Sequence, residues 1–121
     1  MKKILLVDDE PMVILALKDR LTAEGFTVDS AGNGQEALAK VLQFKPNLIL
    51  LDIIMPKLDG ISVLKRLKSS DETKNIPIII LSNLYDDQKM EEILKTNNTD
   101  YLIKVEHSLS DIINRVKEKL D

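Results

Sequence analysis

Five short runs of aliphatic and β-branched residues alternate with longer amphipathic stretches, and this alternation limits the fold more than any other feature of the chain. Lys3–Val7, Thr27–Ala31, Leu48–Leu51, Ile78–Leu81 and Tyr101–Ile103 have strand length and composition. Leu48-Ile49-Leu50-Leu51 and Ile78-Ile79-Ile80-Leu81 are apolar at every position, so both faces of these strands need cover. Strands of that kind, separated by helices, form a parallel sheet with helices on both sides.

The intervening stretches carry helical signals. Pro11 opens the first, Val13, Ala16, Leu17 and Leu21 recur at helical spacing, and Gly25 supplies a stop. Asn33 followed three residues later by Glu36 predicts an N-cap, with Leu38, Val41 and Leu42 as the stripe behind it. Ile61, Leu64 and Leu67 mark a third helix ending near Ser69-Ser70. Met90, Ile93 and Leu94 mark a fourth, predicted from Asp86 to Lys95. Leu109, Ile112, Ile113, Val116 and Leu120 stripe the fifth, with Ser108 and Asp111 as its capping box. Right-handed crossovers leave few topologies for five βα units. The expected fold is α/β: a five-stranded parallel sheet in the flavodoxin-like order 2-1-3-4-5, a (βα)5 three-layer sandwich.

At 121 residues the chain is expected to be one domain spanning 1–121. The absence of Cys excludes a disulfide scaffold, a thiolate zinc site and a cysteine nucleophile, and a single His excludes a multi-histidine metal site. A net charge of −3 provides no broad cationic field, so direct nucleic-acid binding is not expected, and Lys65, Arg66 and Lys68 read as the wet face of the third helix. The longest apolar stretch, Pro11 to Leu17, is far short of a membrane span, and a cytoplasmic location is expected. His107 reads as a loop residue before the last helix.

In the expected topology ligands sit beyond the carboxyl ends of the strands, near the switch between strands 1 and 3. The residues at those ends are acidic: Asp8 and Asp9 follow strand 1, and Asp52 ends strand 3. Half-buried carboxylates are costly unless paired or metal-bound, and three together repel one another. All-oxygen ligands suit Mg²⁺. Ser82 ends strand 4 and Lys104 ends strand 5, adding a hydroxyl and an ammonium to the same crevice. A cation, an ammonium and a hydroxyl donor together suit a phosphoryl group.

Along its whole length the sequence resembles the receiver domain of two-component response regulators. The matching motifs are Leu6-Val7-Asp8-Asp9-Glu10, Leu50-Leu51-Asp52-Ile53-Ile54-Met55-Pro56 with Asp59-Gly60, Leu81-Ser82, and Asp100-Tyr101-Leu102-Ile103-Lys104. The resemblance implies that Asp52 is the phosphoacceptor, taking a phosphoryl group from a sensor histidine kinase or a histidine phosphotransfer protein. It implies Mg²⁺ held by Asp9, Asp52 and the Ile54 backbone carbonyl, with Asp8 acting directly or through water. Lys104 and Ser82 would contact phosphoryl oxygens. Ser82 and Tyr101 would form a two-state switch read out on the face of the fourth helix, fifth strand and fifth helix, and a phosphorylation-dependent homodimer is among the expected partners. The domain would assist its own phosphorylation and slow dephosphorylation without being an enzyme. It is expected to be a single-domain regulator or a fragment of something longer.

Four positions depart from the common pattern. Val105 replaces the usual Pro after Lys104, which makes a trans bond the default there. Asn83 replaces a small residue after Ser82, where its larger side chain either narrows the path to Asp52 or hydrogen-bonds the phosphoryl group. Asn97-Asn98-Thr99 replaces a Gly-Ala turn, and Asn tolerates the left-handed backbone. Ile54 and Leu84, at the positions that tune hydrolysis, are apolar and offer no side chain to hold a water. Three rivals are weighed against this reading. A flavodoxin-type cofactor site needs a glycine- and hydroxyl-rich phosphate loop where Asp8-Asp9-Glu10 stands. A haloacid-dehalogenase-type hydrolase needs an acid at Ile54. A degenerate receiver acting as a phosphorylation-independent docking module is opposed by the intact set Asp9, Asp52, Ser82 and Lys104.

Overall fold

The computed structural model describes residues 2–52, 60–82, 91–93, 95–96, 98–103 and 107–120. Strands β1 (Lys3–Val7), β2 (Thr27–Ala31), β3 (Leu48–Leu51), β4 (Ile78–Ser82) and β5 (Thr99–Ile103) form one parallel sheet in the order β2-β1-β3-β4-β5. Helices α1 (Pro11–Ala23), α2 (Gly34–Phe44), α3 (Gly60–Ser69) and α4 (Leu109–Leu120) flank it. The expected topology is the observed one.

Alternation along the strands divides the core in two. Leu5, Val7, Ile49, Leu51, Ile78 and Ile80 pack with α2 and α3 through Ala37, Val41, Val63, Leu64 and Leu67. Ile4, Leu6, Leu48, Leu50, Ile79 and Leu81 pack with Leu17 and Leu21 of α1 and with Ile112, Ile113 and Val116 of α4. The strands are therefore apolar on both faces because each face carries its own helix layer.

Several local expectations need correction. β5 starts two residues earlier than expected, at Thr99, because its ladder with β4 pairs Ile78 with Thr99 and Ser82, the strand end as expected, with Ile103. The turn before β5 survives as expected, with Asn98 in the left-handed region at φ 56°. In α1, Ala16 is exposed and Ile14 is packed on the core instead. In α2, Leu42 is 55% exposed and Ala37 takes the buried position. Residues 91–93 are helical with Ile93 buried, and Lys95 already lies in a turn. Met90 and Leu94 of the predicted fourth helix lie outside the described residues.

Lys68 is not simply a wet residue. It is half-buried and donates to the carbonyls of Lys74 and Ile76, each at 3.2 Å, while Lys65 and Arg66 are exposed. Burial, then the nearby Lys119 charge, hold its pKa below the ordinary lysine value. On the β2 side, Lys40 bridges Asp29 and Glu36, both at 3.3 Å. Burial alone would lower its pKa, but these two carboxylates raise it.

Candidate functional site

The sheet ladder itself places the acids. Asp8 extends β1 by one residue, its backbone N–H donating to the Ala31 carbonyl at 3.1 Å. Asp52 extends β3 in the same way, donating to the Val7 carbonyl at 2.9 Å. Val7 and Leu51 are register partners, so Asp8 and Asp52 follow side by side at the carboxyl ends of adjacent strands. Both are 5% exposed. Asp9 and Glu10 are exposed beside them, as the chain leaves the sheet for α1.

Carboxylate oxygens of Asp8, Asp9, Glu10 and Asp52 all lie within 4.8 Å of one another. The structure thus brings together the three predicted aspartates and adds Glu10, which sequence reasoning left out of the ligand set. The signal was present as the third acid of an Asp-Asp-Glu run. Pro11 restricts the residue before it to extended backbone, and Glu10 is extended at φ −97°, ψ 108°. That conformation folds the chain back so that the Glu10 N–H donates to Asp8 Oδ1 at 3.0 Å.

Ser82 closes β4 and is 1% exposed. Tyr101, half-buried on β5, pairs in register with Ile80 and packs on the α2–α3 side of the sheet. The period-2 alternation of strands puts Ser82 and Tyr101 on that same face. The remaining predicted site residues, Ile54, Asn83, Leu84 and Lys104, lie outside the described residues, as does Val105. His107 is a half-buried residue just before α4, as expected.

Hard oxygen donors of this kind match the coordination chemistry of Mg²⁺, which takes a few carboxylates and keeps several waters. A family model, the response regulator receiver domain, matches residues 4–117. The chain belongs to that family, the receiver domains of two-component systems. The protein-glutamate methylesterase/protein-glutamine glutaminase of Archaeoglobus fulgidus is 38% identical over 119 residues, 96% of this chain and 33% of that protein. The phosphate regulon transcriptional regulatory protein PhoB of Rhizobium meliloti is 35% identical over 118 residues, 98% of this chain and 52% of that protein. The chain thus spans a third to about half the length of these two relatives. Among solved structures, the chemotaxis response regulator CheY4 of Vibrio cholerae aligns with a TM-score of 0.89 at 27% identity over 99% of each chain. A two-component response regulator from Clostridium difficile aligns with a TM-score of 0.89 at 32% identity, over 99% of this chain and 96% of that one. Receiver domains generally bind Mg²⁺ at an acidic pocket, and this chain has an acidic cluster at the corresponding sheet edge. Among the described residues, no helix is long and apolar enough to cross a membrane.

Proposed function

We propose that this chain is a single receiver domain, spanning 1–121, that accepts a phosphoryl group on Asp52 from a phosphohistidine of a sensor histidine kinase or a histidine phosphotransfer protein. The observation that carries the reading is the convergence of Asp8, Asp9 and Asp52 at the carboxyl ends of β1 and β3. An Asp52 carboxylate oxygen attacks phosphorus, the phosphorus–nitrogen bond to the donor imidazole breaks, and that nitrogen keeps the electron pair and takes up a proton. The backbone bond from Asp52 to Val7 fixes the nucleophile on a rigid strand. Asp9 and Asp52, with the Ile54 carbonyl and with Asp8 directly or through water, would hold Mg²⁺. When bound, the ion neutralises charge on the transferring oxygens.

Lys104 pairs with one phosphoryl oxygen and Ser82 hydrogen-bonds another. Ser82 and Tyr101, on one face of β4 and β5, respond together and change the surface of β5 and its neighbouring helices for a downstream protein or a second copy of the chain. No nucleic-acid or membrane contact is part of this reading, and a cytoplasmic location suits it. The domain assists its own phosphorylation but turns over no separate substrate.

The test is phosphorylation with acetyl phosphate and Mg²⁺, read by intact mass. The parent gains one phosphoryl group and Asp52→Asn gains none. Undiminished labelling of Asp52→Asn would overturn the assignment, and an unlabelled parent would favour the phosphorylation-independent docking module. Ile54 and Leu84 are apolar and neither offers a side chain to align a hydrolytic water, and Asn83 is large enough to crowd the approach, so a long-lived phosphorylated state is expected. An Ile54→Asn, Leu84→Glu double variant should lose phosphate roughly ten- to a hundredfold faster, about 1.4–2.8 kcal/mol of barrier. Equal decay of the two proteins would remove both side chains from control of the lifetime.

A further inference from the structure

We infer that Glu10 is a fourth carboxylate of the divalent-cation site and raises its affinity; this rests on the reading of the acid cluster as that site. Two features converge on this residue. Its carboxylate lies within 4.8 Å of those of Asp8, Asp9 and Asp52. Its peptide N–H is tied to Asp8 Oδ1, and Pro11 holds its backbone extended, so its Cα is fixed beside the buried pair.

Burial assigns different parts to the four acids. Asp8 and Asp52 are nearly inaccessible and define the floor. Asp9 and Glu10 are exposed and form the mouth through which an ion exchanges. A carboxylate at the mouth deepens the negative potential felt by an arriving cation, and its longer side chain reaches the ion directly or through one of the waters that Mg²⁺ retains. Glu10→Gln keeps the shape and removes one charge. For a divalent ion about 5 Å away in a water-like dielectric, that charge corresponds to roughly a tenfold change in affinity at low salt, shrinking as salt screens it.

The experiment titrates MgCl₂ into the intact parent, Glu10→Gln, Glu10→Asp and Asp9→Ala, following amide NMR shifts at low and at physiological salt. Expected is a loss of binding in Asp9→Ala, an approximately tenfold weaker site in Glu10→Gln at low salt, and recovery of most of the affinity in Glu10→Asp. Parent-like affinity in Glu10→Gln beside lost binding in Asp9→Ala would overturn the part given to Glu10 and leave the cation site standing. No binding by the parent would overturn the underlying reading itself. Spectra with native dispersion in EDTA verify that each variant is folded.

Discussion

Helices α1 and α4 lie side by side, joined by the Lys117–Glu24 ion pair and by Arg20 donating to Ser110, yet they begin in opposite ways. At α4, the Asp111 N–H donates to Ser108 Oγ at 3.1 Å and the Ser108 N–H donates to Asp111 Oδ2 at 3.0 Å, a reciprocal box. At α1, the residue in the capping position is Glu10, whose side chain makes no cap and whose carboxylate belongs to the acid cluster. The α4 start satisfies its own backbone; the α1 start places its polar side chain in the acid cluster instead. Local rules are broken where chemistry is built, and the cost is met by packing elsewhere.

If packing holds α1 in place of a cap, deleting its buried stripe has the largest effect. Leu21 is fully buried against the β1–β3 face. Leu21→Ala should cost about 2–5 kcal/mol, seen as a lower urea midpoint with an unchanged slope. A cost no greater than that of removing the α4 cap would break the contrast between the two helices.

The same contrast explains what could be read from the sequence. The strands and the caps at Asn33 and Ser108–Asp111 were legible because each rests on local pattern, unbroken or alternating apolar runs and side chains bonding backbone three residues away, and the strand order because crossover handedness leaves few topologies. Asp8, Asp9 and Asp52 were legible because topology alone brings strand ends together. Glu10 was overlooked although the Asp-Asp-Glu run and Pro11 both signal it, because its place beside the buried pair depends on the backbone conformation at Glu10 as well as on composition. Ala16 and Leu42 fit a helical stripe as well as Ile14 and Ala37 do, and only the position of the neighbouring layer decides which is covered. Lys68 read as solvated because nothing local announces that the carbonyls of Lys74 and Ile76 fold back onto it.

Next in size is the response to the ion. The cluster is held together against its own repulsion, so Mg²⁺ at ten times its dissociation constant should stabilise the fold by about 1.4 kcal/mol. Thermal melts in EDTA and in Mg²⁺ measure this directly. Asp9→Ala should abolish the difference and raise the EDTA melting temperature slightly, since one repelling charge is gone. Identical melts of the parent in both buffers would mean that the uncapped start of α1 serves no cation.

Removing the α4 cap comes third. Ser108→Ala should cost about 1 kcal/mol, a fall in melting temperature of about 4 °C. Asn33→Ala, which deprives the Glu36 N–H of its 3.0 Å acceptor, should behave alike. Glu10→Ala should show no such fall, because no cap is lost with it. A matching loss in Glu10→Ala would erase the distinction between the helix starts.

The smallest effect separates the charge of the α4 box from its shape. The Ser108 backbone N–H, then its side chain, hold the Asp111 carboxyl below its ordinary value of 3.8. Its folded pKa is thus depressed, so between the folded and unfolded values the unfolded chain binds more protons. The stabilisation is complete above about pH 3.8 and is lost as pH falls through the folded value. Asp111→Asn keeps an acceptor for the Ser108 N–H but carries no charge. The melting-temperature gap between parent and variant should therefore be constant from neutral pH down to about 5 and close progressively on further acidification. A gap that persists unchanged to pH 2 would mean that the box is held by geometry alone, and that the α4 start uses no charge at all.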